Sequence, residues 1–217
     1  MTGKGVFISF EGGEGAGKTT QINNVAKYLS DKGHSVLTTR EPGGTPEGEK
    51  IRNLLVQRDG GKWLPITETL LLFAARAEHV ERIIKPALAA GKIVISDRFT
   101  DSTYAYQGYG HGLTIETIDD LNKTVLDNFK PDLTFILDVA PDTGLKRSGR
   151  RLAAEQLQVR QTEDRFENLE IAFHERLHEG FLAIAKSDPA RCQIIDATQK
   201  AVDVTDEIIA LLAKRGL

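Results

Sequence analysis

Thiols are almost missing from this chain. Among its 217 residues only Cys192 carries one, so no internal disulfide can form and a reducing cytoplasm is the expected setting. Long apolar runs are missing too: none approaches the roughly 18 residues that would span a bilayer, and the opening MTGKGVFISF has no signal-peptide pattern. No membrane partner is expected. Positive charge is in short supply, since 28 Lys and Arg against 31 Asp and Glu leave a formal charge of −3. That balance argues against a nucleic-acid binder, while a local basic patch could still serve a phosphorylated small molecule. Repeats, low-complexity tracts and linkers are absent as well. What is present, 40% hydrophobic and 27% charged side chains, suits one domain over 1–217 with a substantial core.

Short apolar runs at 6–10, 35–39, 93–96, 133–139 and 192–195 read as strands. Helical spacing fills the intervals, over 22–29, 46–57, 67–90, 115–129, 168–186 and 202–215, with Pro86 marking a kink or an end in the third of these. Strands alternating with helices predict an α/β fold, a five-stranded parallel sheet flanked by helices on both faces.

The first strand runs into FEGGEGAGKTT, where Gly12, Gly17, Lys18 and Thr19 match G-x-x-x-x-G-K-[ST] between a strand and a helix. In such a loop the backbone N–H groups turn toward phosphate oxygens, the helix N-terminus adds its positive end, the lysine reaches the terminal phosphates and the hydroxyl ligates Mg²⁺. A flexible glycine turn is the alternative, and the strand-to-helix context speaks against it. A guanine-reading switch would need Asn-Lys-x-Asp, but Asn122-Lys123-Thr124-Val125 lacks the aspartate.

Ligands of open α/β sheets gather at the carboxyl ends of the strands, which singles out Arg40 in REPGGT and Asp97-Arg98. Arg98 offers a forked cation to a phosphate and Asp97 a carboxylate to Mg²⁺; a structural salt bridge is the alternative for both. Phe73 and Arg76 share a helix face, so a base could stack on the ring while the guanidinium donates to a carbonyl. Taken alone, Phe73 reads as core. His79 has no neighbour at metal-ligand spacing and receives no role, and Glu11 is left unassigned. The stretch STYAYQGYG, 102–110, suits a nucleobase or sugar pocket or a polar loop with aromatic packing. Lys146, Arg147, Arg150, Arg151, Arg160 and Arg165 suit a mobile lid over 145–165 or a solvated charged helix.

Taken together, residues 10–20, REPGGT, FAAR at 73–76, Asp97-Arg98-Phe99, STYAYQ at 102–107, Leu137-Asp138-Val139 and Ile195-Asp196-Ala197 resemble the bacterial thymidylate kinases along nearly the whole chain. The resemblance implies a P-loop nucleoside-triphosphate hydrolase-like fold and transfer of the γ-phosphoryl of ATP to dTMP, giving dTDP and ADP, with Mg²⁺ and in a homodimer. It implies that Gly12, Gly13, Glu14, Gly15, Ala16, Gly17, Lys18, Thr19 and Thr20 bind ATP, and that Thr19 and Asp97 serve the metal. Glu14, Arg40, Phe73, Arg76, Arg98, Ser102, Tyr106 and Gln107 would bind dTMP, with Glu14 facing the sugar 3′-hydroxyl. Lys18, Asp97, Arg98, Arg147 and Arg151 would be catalytic, and 196–199 would lie beside adenine. Gly15 follows Glu14 where some members carry a basic residue, so the lid must supply the cation. The stretch from Arg151 to Asp164 is longer than a compact lid, which leaves open which arginine meets the transferring phosphate.

Overall fold

The apolar runs become β1 (Val6–Glu11), β2 (Val36–Arg40), β3 (Ile93–Asp97), β4 (Leu133–Asp138) and β5 (Cys192–Asp196) in a computed structural model that describes residues 5–57, 61–155, 165–166 and 169–217, with backbone alone over 151–155. All pair in parallel, in the order β2-β3-β1-β4-β5. β1, β3 and β4 are buried on both faces, the reason their sequences are continuous apolar runs rather than alternating ones. β2, at the edge, is half exposed.

Helices α1 (Lys18–Asp31) and α9 (Ala201–Lys214) cover one face, where Val25, Leu29, Ile208 and Leu212 meet Ile8, Phe10, Ile95 and Phe135. Against the other face lie α3 (Pro65–His79), α4 (Lys85–Ala89) and α6 (Ile115–Leu126), which enclose Phe7, Phe73, Val94, Phe99 and Ile118. Phe7 and Phe99 meet edge to face at 4.9 Å, an arrangement worth roughly 1 kcal/mol beyond burial. The remaining helices are α2 (Pro46–Val56), α5 (Thr100–Thr103), α7 (Pro141–Glu155) and α8 (Ile171–Ser187). Among the described residues no helix is long and apolar enough to cross a membrane.

Pro86 neither ends nor interrupts the long helix. A wider π turn over Val80–Ile84 joins α3 to α4, and the Lys85 N–H closes on the Val80 carbonyl five residues back. Proline has no N–H to give and crowds the carbonyl four residues before it, so a local change of pitch lets the helix pass. A second π turn, Tyr104–Gly110, follows α5, so the stretch read as a pocket or a polar loop is helical and packs on α8. Since the chain leaves β1 toward β2 and β3 on one side and reaches β4 and β5 on the other, a crevice opens above the carboxyl end of β1. The glycine loop, Asp97-Arg98 and the second π turn border it.

Candidate active site

The loop after β1 needs glycine where backbone passes close to backbone. Gly12 has φ 133°, and a Cβ there would stand 2.6 Å from the Leu137 carbonyl oxygen. At Gly15, φ 67°, a Cβ would strike the backbone of Gly144, so the loop rests directly on the first turn of α7. No side chain caps α1 and its first turn has no acidic residue, which leaves its N–H groups and positive end unspent. Lys18 is buried, with Nζ donating to Gly12 O and Gly13 O, both at 3.1 Å. Burial and then the charge of Arg98 pull its ammonium below the usual lysine range, against Asp97, Glu14 and Glu11. Thr19 and Thr20 are exposed beside it.

Arg98 adopts φ 71°, a left-handed conformation costing on the order of 1–3 kcal/mol outside glycine. Its N–H donates to Phe10 O at 2.9 Å, and its carbonyl accepts from Ser96 Oγ at 2.7 Å. The guanidinium is thereby turned back over the loop. Nη1 donates to Gly12 O at 3.0 Å and Ser102 Oγ at 3.1 Å, Nη2 to Glu14 Oε1 at 2.9 Å, and the fork lies 4.9 Å from the centre of the Tyr106 ring. Burial disfavours this charge, but Tyr106, Glu14, Asp97 and Glu11 more than compensate and hold it firmly protonated. Glu14 Oε1 also accepts from Tyr106 OH at 2.7 Å. Its carboxylate therefore sits with Arg98 and Tyr106.

Glu11, left unassigned from sequence, braces the turn that carries Arg98. Its two oxygens accept from the Phe99 N–H at 2.7 Å and Ser102 Oγ at 2.5 Å. Burial, aided by the charge of Asp101, pushes its carboxyl up to about 8 despite these donors and Arg98.

On α3 the Arg76 guanidinium spans two rings, 5.1 Å from Phe73 and 5.3 Å from Phe99. Phe73 belongs to the core and also forms the floor under Arg76. Nε donates to Glu41 Oε2 at 2.6 Å, and Nη2 to Phe99 O at 3.2 Å and Thr103 Oγ1 at 3.0 Å. Nη1, buried, has no hydrogen-bond partner among the described residues. Glu41 Oε1 meets His79 Nδ1 at 2.8 Å, and His79 Nε2 meets Thr39 Oγ1 at 2.6 Å. Gln107 Nε2 donates to Glu68 Oε1 at 2.6 Å, while Gln107 Oε1, also buried, has no partner among the described residues. Glu68 Oε2 pairs with Arg165 Nη2 at 2.6 Å.

Thus Gly12, Glu14, Lys18, Arg98, Ser102 and Tyr106 share one network, and Phe73, Arg76 and Gln107 lie beside it on α3 and the second π turn. Asp97, half buried, is level with Phe10 and Arg40 in the sheet. Arg40 stands at the rim, exposed and bonded to Glu49 at 3.1 Å. Arg147 Nη1 reaches Ala197 O at 2.8 Å, and Asp196 Oδ1 accepts from the Thr198 N–H at 2.9 Å, which ties α7 to the loop after β5. Lys146 and Arg150 are exposed on α7; the Arg151 side chain and Arg160 lie outside the described residues. Sequence reasoning passed over Glu41, His79 and Glu68. The available signal was on α3, where Glu68, Arg76 and His79 fall on one face of the helix, and the structure buries all three.

Residues 10–208 match the thymidylate kinase family model. The chain is 48% identical to a thymidylate kinase of Caulobacter vibrioides over 98% of each chain, and 45% identical to one of Desulfosudis oleivorans over 96% of this chain and 97% of that one. The crystal structure of thymidylate kinase from Ehrlichia chaffeensis superposes with a TM-score of 0.76 at 40% identity, covering 97% of this chain and 99% of the other. With the motifs, the sheet order and these likenesses in agreement over nearly its full length, the chain belongs to the thymidylate kinase family.

Proposed function

We propose that the family reaction takes place in the crevice above β1 and β3, with donor and acceptor meeting at Glu14 and Arg98. The chain is an ATP-dependent phosphotransferase of nucleotide biosynthesis that converts dTMP to dTDP. The observation that carries the placement is that Arg76 Nη1 and Gln107 Oε1, both buried beside this crevice, have no hydrogen-bond partner among the described residues. Arg76 Nη1 can only donate, and Gln107 Oε1 can only accept. Thymine presents a carbonyl acceptor at O4 beside a donor at N3–H, which complements that pair, whereas cytosine presents the reverse.

On this reading 12–20 enclose the ATP phosphates, and the Lys18 ammonium exchanges the Gly12 and Gly13 carbonyls for phosphate oxygens. Arg98 grips the acceptor phosphate, with Arg40 at the rim. Glu14 accepts the sugar 3′-hydroxyl, and Ser102 and Tyr106 close the pocket around it. Phe73 underlies the base. Arg147 and Arg151 bring positive charge from the lid, 145–165, over the transferring group, and the loop 196–199 lies beside adenine.

Mg²⁺ fits the oxygen donors present. Thr19 and Asp97 offer one hydroxyl and one carboxylate, and no group of three His, Cys, Asp or Glu suited to a metal occurs among the described residues. An ion that keeps several waters and binds mainly through phosphates needs no more. When bound, it neutralises charge building on the phosphate oxygens. The exposed Leu54, Leu64, Ile66 and Leu70 on α2 and around α3 support a homodimer, and the single thiol supports a cytoplasmic setting for one domain over 1–217. Light scattering on the purified chain reads the assembly directly.

ADP release measured against dTMP, dUMP, dCMP, dGMP and thymidine tests the assignment, and strong stimulation by dTMP is expected. ATP hydrolysis indifferent to every acceptor would overturn it. Arg76→Ala should raise KM for dTMP far more than for ATP; an equal rise for both would mean that the base pocket is misplaced.

A further inference from the structure

A side-chain amide reads a base ambiguously. Turned over about its last bond, it exchanges an acceptor for a donor at nearly the same position, so a glutamine alone can meet a ring N–H or a bare ring nitrogen. In this site Gln107 is not alone. Its Nε2 lies 2.6 Å from Glu68 Oε1, and both side chains are fully enclosed, each 1% exposed. An ionised carboxylate accepts and cannot donate, so the NH₂ of Gln107 must face it and the carbonyl oxygen must face away. That oxygen is the buried atom left without a partner among the described residues. With the amide reversed, two acceptors would be opposed in a buried place and two hydrogens would be left unpaired.

The carboxylate is itself held in place. Its second oxygen pairs with Arg165 Nη2 at 2.6 Å, and Arg165 also donates through Nη1 to Leu55 O at 2.8 Å and lies 5.0 Å over the Phe166 ring. His111 Nε2 stands 3.9 Å from the first oxygen. Burial holds the His111 imidazole below its ordinary value, so Arg165 is the cation paired with Glu68, and among the described residues the neutral amide that donates to the carboxylate is that of Gln107.

We propose that Glu68 is a specificity-determining positioning residue: it fixes the orientation of the Gln107 amide, so that the pocket takes pyrimidines with a protonated ring nitrogen and turns away cytosine. This rests on the reading that Gln107 meets the base. Glu68 touches no substrate and acts through Gln107. A neutral amide at position 68 can pair with Gln107 in either orientation, which frees the reader to present its NH₂ to cytosine N3.

The test compares kcat/KM for dTMP, dCMP and dUMP and KM for ATP in the wild type, Glu68→Gln and Gln107→Ala. In Glu68→Gln the preference for dTMP over dCMP should fall by at least about tenfold, the size expected when a buried polar reader loses its fixed sense. The dTMP to dUMP ratio and KM for ATP should hold, since both pyrimidines carry N3–H and ATP lies elsewhere. An unchanged dTMP to dCMP ratio in Glu68→Gln, with Gln107→Ala lowering that ratio, overturns the proposal alone. If Gln107→Ala also leaves the ratio intact, the placement of Gln107 at the base is what fails. Neutron diffraction on the wild type with dTMP supplies a readout independent of how the variant folds: Nε2 deuterons toward Glu68 support the proposal, and deuterons toward the base overturn it.

Discussion

Arg76 meets Glu41 at 2.6 Å with both side chains no more than 3% exposed, so the guanidinium proposed to read the base is anchored by a carboxylate from the loop after β2. The other carboxylate oxygen goes to His79, one helical turn from Arg76 on α3. Removing Glu41 would leave a buried cation without its counter-charge. Glu41→Gln should cost about 3 kcal/mol or more in urea denaturation and raise KM for dTMP well above any change for ATP. A variant as stable as wild type with unaltered dTMP kinetics would show that Arg76 is held by Phe99 and Thr103 alone.

Lys18→Ala removes the cation at the loop carbonyls. A loss of roughly 10² or more in kcat is expected if it stabilises charge on the transferring phosphate. Circular dichroism should stay that of the wild type, because the side chain supports no packed core. Wild-type turnover would refute the loop assignment.

Glu14→Gln keeps the volume and gives up the charge that Arg98 and Tyr106 share. KM for dTMP should rise about tenfold while KM for ATP moves little, as expected for a hydrogen bond between a charged acceptor and a sugar hydroxyl. Comparable shifts for both substrates would place Glu14 with the donor.

Glu11 makes stability depend on pH in a definite direction. Its carboxyl titrates at about 8 in the folded protein against an ordinary value of 4.5, so in between the native state keeps a proton that the unfolded chain has released. Protonation therefore stabilises fully below the unfolded value, and the benefit is lost as pH rises through 8. Urea midpoints of wild type and Glu11→Gln, followed from about pH 5 to pH 9, should diverge, with only the wild type carrying this loss. Parallel curves would contradict the assignment.

The phosphate loop and the strands could be read directly from the chain because their physics is local. A loop that cradles phosphate needs its glycines and lysine close together in the chain, and a strand buried on both faces is apolar along most of its length. The braces could not be read in that way. Glu41 lies 38 residues from His79, and Glu68 lies 39 from Gln107; only the packing of α3 against the loop after β2 and the second π turn brings them together. Pro86 read as a kink or an end because sequence registers its missing N–H, whereas the π turn that accommodates it, with Val80 and Ile84 buried, appears only in the fold. Glu11 is an acid in an apolar strand, and its reason lies in the Phe99 and Ser102 groups at the far end of another strand.

The contact between Gly15 and Gly144 gives α7 a pivot. No side chain interlocks there, so backbone bears on backbone at one end of a helix that continues to Glu155. At 1.5 Å per residue the stretch from Gly144 to Glu155 is roughly 16 Å long, and a swing of about 10° at Gly144 that released Arg147 from the Ala197 carbonyl would carry its far end about 3 Å. A change of posture in the phosphate loop too small to disturb the sheet would thereby be multiplied along the helix that bears Arg147 and Arg151.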